Sequence, residues 1–293
     1  MLTPLDNEVI FKKAFTDPFV LRRFVKDVVG VDFDPGPIET EKKFSPKSGN
    51  IDFAYDIFAE SKDHRVVVEM QRVEYDYHFD RFLHYHFGAV IELQKAASDY
   101  KIDKKVFTIV LLTAPYTIKD GSGSPVKDDI LVSSADPVNL EGRKVQIFGH
   151  ELYFLNPNHI GERTPPACRD WLSLIYESIH NPNNYSVNMA NEAVRKAVGI
   201  IDFDGLSGEE VHAMKIAAGR KAVEAILRHT IEEKDKAIED QRHAIEEKDK
   251  ALAEKDRALA EQRKALEHAA ALLSDKSGMP LADARRALGL QTH

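Results

Sequence analysis

With 293 residues, 48 Asp and Glu against 40 Lys and Arg, and a formal charge of −8, the chain can hold one large domain plus an extension, or two modest domains. It is too acidic to grip nucleic acid through a globally basic surface. Its single cysteine, Cys168, excludes an internal disulfide and a cysteine-based zinc site. No apolar run reaches the length of a membrane span, and Met1-Leu2-Thr3-Pro4-Leu5-Asp6 lacks a signal peptide's basic start and apolar middle, so the expectation is a cytoplasmic protein with no membrane partner.

Residues 6–15 place Ile10, Phe11, Ala14 and Phe15 at helical spacing, with Asp6 as the expected cap. Asp17-Pro18 restarts a helix with proline at its first position, and Gly30 ends it. After the Asp34-Pro35-Gly36-Pro37 loop, residues 38–44 read as a strand. Two apolar runs then flank Ser61-Lys62-Asp63-His64, the pattern of a β-hairpin. If Glu60 pairs with Arg65, Asp56 falls directly opposite Glu69. Alternation then places Ile51, Phe53, Tyr55 and Ile57 on a core face with Val66, Val68 and Met70, and Asp52, Asp56, Glu69 and Gln71 on the other. Opposed carboxylates on neighbouring strands repel; held about 5 Å apart, they make chemical sense around a divalent cation.

Residues 75–97 read as a long helix with Phe79, Phe82, Leu83, His86, Val90, Ile91 and Leu93 on its buried side. Tyr77, Arg81 and Tyr85 follow one another by a turn and share a face. The nearly continuous apolar run over 106–113 predicts a strand covered on both faces. Residues 116–136 read as loop, and 145–148 and 151–155 as two short strands. This mixture predicts an α/β domain over 1–160, followed by a helical extension over 161–206 with amphipathic segments at 167–179 and 187–201. A long charged helix is expected over 207–273. From Ile231 it repeats every seven residues, through Ile238, Ile245, Leu252, Leu259 and Leu266, with Lys or Gln three residues after each of the first five. One strong apolar residue per heptad predicts a single extended helix or a weak coiled coil, the expected seat of a homodimer. Residues 274–293 are a short helix and tail.

The order Asp56, hairpin, Glu69-Met70-Gln71, then a helix bearing Arg81 and Tyr85 resembles the PD-(D/E)XK nuclease superfamily. Within it, the chain is similar to the recombination-promoting nuclease / transposase family, whose opening helix Asp6-Asn7-Glu8-Val9-Ile10-Phe11-Lys12-Lys13-Ala14-Phe15 also resembles. The likeness covers about the first half of the chain and departs from the superfamily pattern at Gln71, where a lysine is usual. It implies a restriction-endonuclease-like α/β core and a Mg²⁺- or Mn²⁺-dependent DNA endonuclease tied to recombination or transposition, with no small-molecule cofactor. Asp56, Glu69 and Gln71 would be catalytic. The metal would be held by Asp56, Glu69 and the Met70 carbonyl, with Asp52 as a further candidate, and DNA would meet Lys12, Arg81 and Tyr85. Gln71 can orient a water but is neither a base nor a cation.

Plainer readings stand beside these. Glu69-Met70-Gln71 alone fits the solvated face of an edge strand, Tyr85 fits packing, Arg81 fits a pair with Asp80 or Glu74, and Lys12 fits a solvated surface. His84 and His86 are two apart on a helix, so with His78 they fit surface or core positions better than a zinc site. The alternative function is a catalytically silent DNA-binding or scaffold protein that oligomerises through its helical tail; a third is action on RNA.

Overall fold

A computed structural model describes residues 1–44, 53–72, 78–94, 101–114 and 118–290. The chain divides into two compact units, Met1–Ala222 and Val223–His293.

In the first unit, α1 (Glu8–Phe15) is capped by Asn7, whose side chain accepts from the Val9 N–H. Asp6, the expected cap, instead pairs with Lys221. In α2 (Pro18–Val29), the Asp17 side chain accepts from Phe19 and Val20, and Gly30 closes the helix at φ 83°, a left-handed conformation that costs glycine little. The sheet strands are β1 (Ile38–Phe44), β2 (Phe53–Glu60), β3 (His64–Gln71), β4 (Lys105–Leu112), β7 (Ile130–Ser134) and β8 (Glu151–Leu155), and a separate two-stranded piece holds β5 (Ile118–Lys119) and β6 (Pro125–Val126). The six-stranded order is β1-β2-β3-β4-β8-β7. β1, β2 and β3 run antiparallel, β3, β4 and β8 parallel, and β7 antiparallel at the far edge.

Helices cover both faces of this sheet, as the unbroken apolar run of β4 requires. On one face α1, α2, α4 (Pro166–His180) and α5 (Glu192–Ile200) pack with Ile57, Ala59, Val66, Val68, Ile109 and Leu155 around a fully buried Trp171. On the other, α3 (His78–Ile91) sets Phe82, Tyr85 and Ala89 against Val67, Val110 and Phe154. Residues from 167–201 therefore belong to the same core as the sheet. Each large aliphatic or aromatic side chain buried there contributes about 1.5–3 kcal/mol.

Three expectations are corrected. Leu83 and Ile91 of α3 are exposed, and Tyr85 takes a buried place instead. Residues 116–136 contain β7, a half-exposed edge strand, besides the β5–β6 hairpin. Residues 145–148 form no strand: Asp136 Oδ1 accepts the N–H groups of Ile147, Phe148 and Gly149 at 2.7–3.0 Å and folds the segment into a loop, leaving Val145, Ile147 and Phe148 exposed.

α6 (Gly208–Ser277) opens with a capping box: Ser207 Oγ accepts from Glu210 N–H, and Glu210 Oε2 accepts from Ser207 N–H at 2.7 Å. In the second unit, α7 (Leu281–Ala287) packs against the end of α6, burying Ala270 and Ala284 and pairing Arg285 with Glu267 at 2.7 Å. No helix among the described residues is long and apolar enough to cross a membrane.

Candidate metal centre

The hairpin takes the register its sequence predicts. Glu60 faces Arg65, and the ladder runs to Ile57 opposite Val68. The paired ladder ends there, and beyond it the Asp56 and Glu69 carboxylates bridge the two strands. Glu69 Oε1 accepts the Asp56 N–H at 3.0 Å, and Asp56 Oδ2 accepts the Met70 N–H at 3.0 Å. Each acid is thus tied to the opposite strand.

The neighbouring strand is irregular at the same level. The β1–β2 register holds at Thr40 opposite Ile57 and again at Lys42 opposite Tyr55. Between them, facing Asp56, Glu41 adopts φ 51°, the only positive φ of a described non-glycine residue. Alternation along β2 changes phase across this point. Ile57 and Ala59 enter the α1/α2 core, whereas Tyr55 lies with Phe58 on the α3 side, their rings 5.8 Å apart. The expected placement of Tyr55 beside Ile57 is corrected accordingly.

Glu69 is 1% exposed, while Asp56 keeps part of its surface open, so the pair is sealed on one side and reachable on the other. The solvated edge-strand reading of Glu69-Met70-Gln71 is therefore excluded. Burial, and then the neighbouring Asp56 carboxylate, push the Glu69 carboxyl well above its ordinary range, against the pull of the Asp56 N–H, Arg81 and Lys12. Burial raises Asp56 too, countered by the Met70 N–H and Lys12. Among the described residues no cationic side chain forms an ion pair with either acid. A buried acid beside a part-buried one, with no ion-paired cation among the described residues, is costly to ionise.

The cations stand one step back. Lys12 on α1 is held by Glu8 at 2.5 Å and by Glu41 at 2.6 Å, and Arg72 approaches Glu8 at 3.6 Å. Burial alone would lower the Lys12 pKa; its bonds to Glu41 and Glu8 more than offset this and raise it. Arg81 donates from Nε to the Tyr85 hydroxyl at 2.8 Å, its guanidinium 4.9 Å from that ring's centre. Tyr85 packs edge-on against Tyr55, whose hydroxyl donates to the Tyr85 carbonyl at 3.2 Å. Tyr85 is thus a buried support for an exposed Arg81.

Gln71 is buried, and its carbonyl accepts from Thr113 N–H and Oγ1 at 3.0 and 3.1 Å, fixing the end of β3 to the exit of β4. Asp52 lies outside the described residues. Glu8 and Glu41, which hold Lys12, were not singled out from sequence, although the Glu8–Lys12 spacing of four on a helix is a signal for such a pair. Among the described residues no three His, Cys, Asp or Glu side chains converge on a metal position. His86 is a core histidine, with Nδ1 2.9 Å from Thr108 Oγ1 and a pKa lowered to about 4 by burial and by His150. Cys168 is buried, its thiol donating to the Asp27 carbonyl, and burial pushes it up to about 11, which makes it inert.

Comparison of the chain with protein-family models, curated proteins and solved structures gave no match.

Proposed function

We propose that the chain is a divalent-metal-dependent deoxyribonuclease with a PD-(D/E)XK-type core. The observation that carries this reading is the Asp56–Glu69 pair, two acids from adjacent strands, one buried and one part-buried, with no ion-paired cation among the described residues. The donor set fits Mg²⁺ or Mn²⁺: hard carboxylate oxygens from Asp56 and Glu69, joined by the Met70 backbone carbonyl. When bound, such an ion polarises a phosphodiester and lowers the pKa of a water.

The chain's own residues do the rest. The Asp56 and Met70 N–H groups hold the two carboxylates against their mutual repulsion. Arg81, braced by Tyr85, presents an exposed guanidinium suited to gripping a phosphate with two parallel hydrogen bonds. Gln71 can orient water through its amide but supplies no positive charge. Lys12 is the cation nearest to making up that deficit, and a phosphate would have to compete with Glu8 and Glu41 for it. A role in recombination or transposition rests on the sequence resemblance alone.

That prior engagement of Lys12 favours a second reading, a catalytically silent DNA-binding protein or scaffold. Incubation of plasmid and labelled duplex with the purified chain and Mg²⁺ or Mn²⁺ separates the two. Metal-dependent nicking that disappears in Asp56→Asn supports the nuclease. Intact DNA, or cutting that survives Asp56→Asn, removes the site from consideration.

A further inference from the structure

The second unit contains a regularity that the nuclease reading does not use. Along α6, Ile231, Ile238, Ile245, Leu252 and Leu259 recur every seven residues and are 55–62% exposed, and every residue of 231–265 is exposed. α7 covers only the far end, near Ala270. An aliphatic stripe at heptad spacing is the seam of a coiled coil, which an isolated helix leaves in water.

The charges beside the stripe specify its partner. Write each Ile or Leu as heptad position a. Position d is then Lys234, Gln241, Lys248, Lys255 and Gln262, and position e reads Asp235, Arg242, Asp249, Asp256 and Arg263. In a parallel pair each d residue meets its own copy, which sets lysine against lysine three times. In an antiparallel pair a faces d and e faces e. Centring the alignment on Asp249 sets Asp235 against Arg263 and Arg242 against Asp256, each twice by symmetry, with one Asp249–Asp249 meeting. The same alignment places Ile245 against Lys255 and Leu252 against Lys248, whose methylene stems cover the aliphatic groups while their ammonium groups reach water. On the remaining flank, position g is Ala237, Ala244, Ala251, Ala258 and Ala265, small enough for two helices to approach closely.

We infer that residues 231–265 pair with a second copy of this chain as an antiparallel two-stranded coiled coil centred on Asp249. The pairing is independent of whether the first unit cuts DNA.

Sedimentation equilibrium on the full chain tests it, with circular dichroism to verify that each variant keeps its helix. The wild type is expected to dimerise. Arg242→Asp and Asp256→Arg singly each set like charges together and should raise the dissociation constant about tenfold, while Arg242→Asp/Asp256→Arg should restore it. A chain with Cys168→Ser and Ala251→Cys should form a disulfide-linked dimer in air, and one with Cys168→Ser and Ile231→Cys should not. A wild type that stays monomeric at all concentrations overturns the inference. So do single charge variants that leave the dimer unchanged, a double variant that fails to restore it, or cross-linking through position 231, which a parallel pair would give.

Discussion

In the β2–β3 hairpin two carboxylates occupy positions where paired strands under a helix would ordinarily bury apolar side chains. Along α6 five aliphatic side chains occupy positions where an isolated helix would ordinarily carry polar ones. The two regions depart from the usual partition of residues in opposite directions, and each departure has a chemistry that identifies what would resolve it. Two adjacent acids that are costly to ionise alone call for a compact cation. A periodic apolar stripe flanked by complementary charge calls for another helix. The difference teaches that an unresolved misfit carries more information about function than the well-packed positions around it.

The strongest way to break the comparison is to neutralise the hairpin pair. Asp56→Asn keeps the shape and the bond to Met70 but removes a charge from the proposed metal site, and the proposed cleavage should fall by about a thousandfold or more. Isothermal titration with Mn²⁺ should show a matching loss of binding. If titration is unchanged, the pair holds no metal.

Next comes the same truncation made in both regions. Ile57→Ala empties a fully buried position between sheet and α1 and should cost about 3 kcal/mol in urea unfolding. Ile245→Ala, more than half exposed, should leave the unfolding midpoint of the first unit unchanged while weakening self-association. Equal effects on that midpoint would mean that the two regions do not differ as their burial indicates.

The α3 face offers a test by pH. His86 has a folded pKa of about 4 against an ordinary 6.5, so the unfolded chain takes up a proton first as the pH falls. The neutral ring's contribution is complete above pH 6.5 and is lost progressively down to about 4, a change of roughly 2–3 kcal/mol. His86→Gln should remove that slope. The difference in unfolding free energy between wild type and variant, measured at pH 7 and 4.5, reports His86 free of the opposite trend from Asp56 and Glu69. A difference that does not change with pH would place the ring in solvent.

The smallest effect is expected at Gln71. Gln71→Ala should slow cleavage about tenfold with metal affinity nearly unchanged, and Gln71→Lys should preserve or raise the rate. Loss of metal binding in Gln71→Ala would make the residue a ligand or a structural support.

Much of the hairpin is legible in the sequence, because the turn fixes the register from Glu60–Arg65 to Ile57–Val68 and so brings Asp56 close to Glu69. The facing of Tyr55 is not, since alternation along β2 breaks beside Asp56, opposite a left-handed Glu41 whose residue type gives no hint of that conformation. β7 escaped notice for a related reason: its side chains are half exposed and its place is secured by backbone pairing to β8. Conversely, Val145-Gln146-Ile147-Phe148 has the alternation of a strand, and Asp136 captures its N–H groups first. Local pattern was reliable where side-chain burial decided the outcome and failed where a single distant acceptor did.

Glu41 has one more consequence, for solubility. β1 is an edge of the six-stranded sheet, and an edge with its outer N–H and C=O groups in a straight row invites a strand from another molecule. Here the row carries Glu39, Glu41, Lys42 and Lys43 and is interrupted at its middle by the reversed backbone of Glu41. A stranger's strand would meet charges of both signs and a backbone break among them. The residue that anchors Lys12 beside the carboxylate pair thus also guards the open side of the sheet against fibrous stacking.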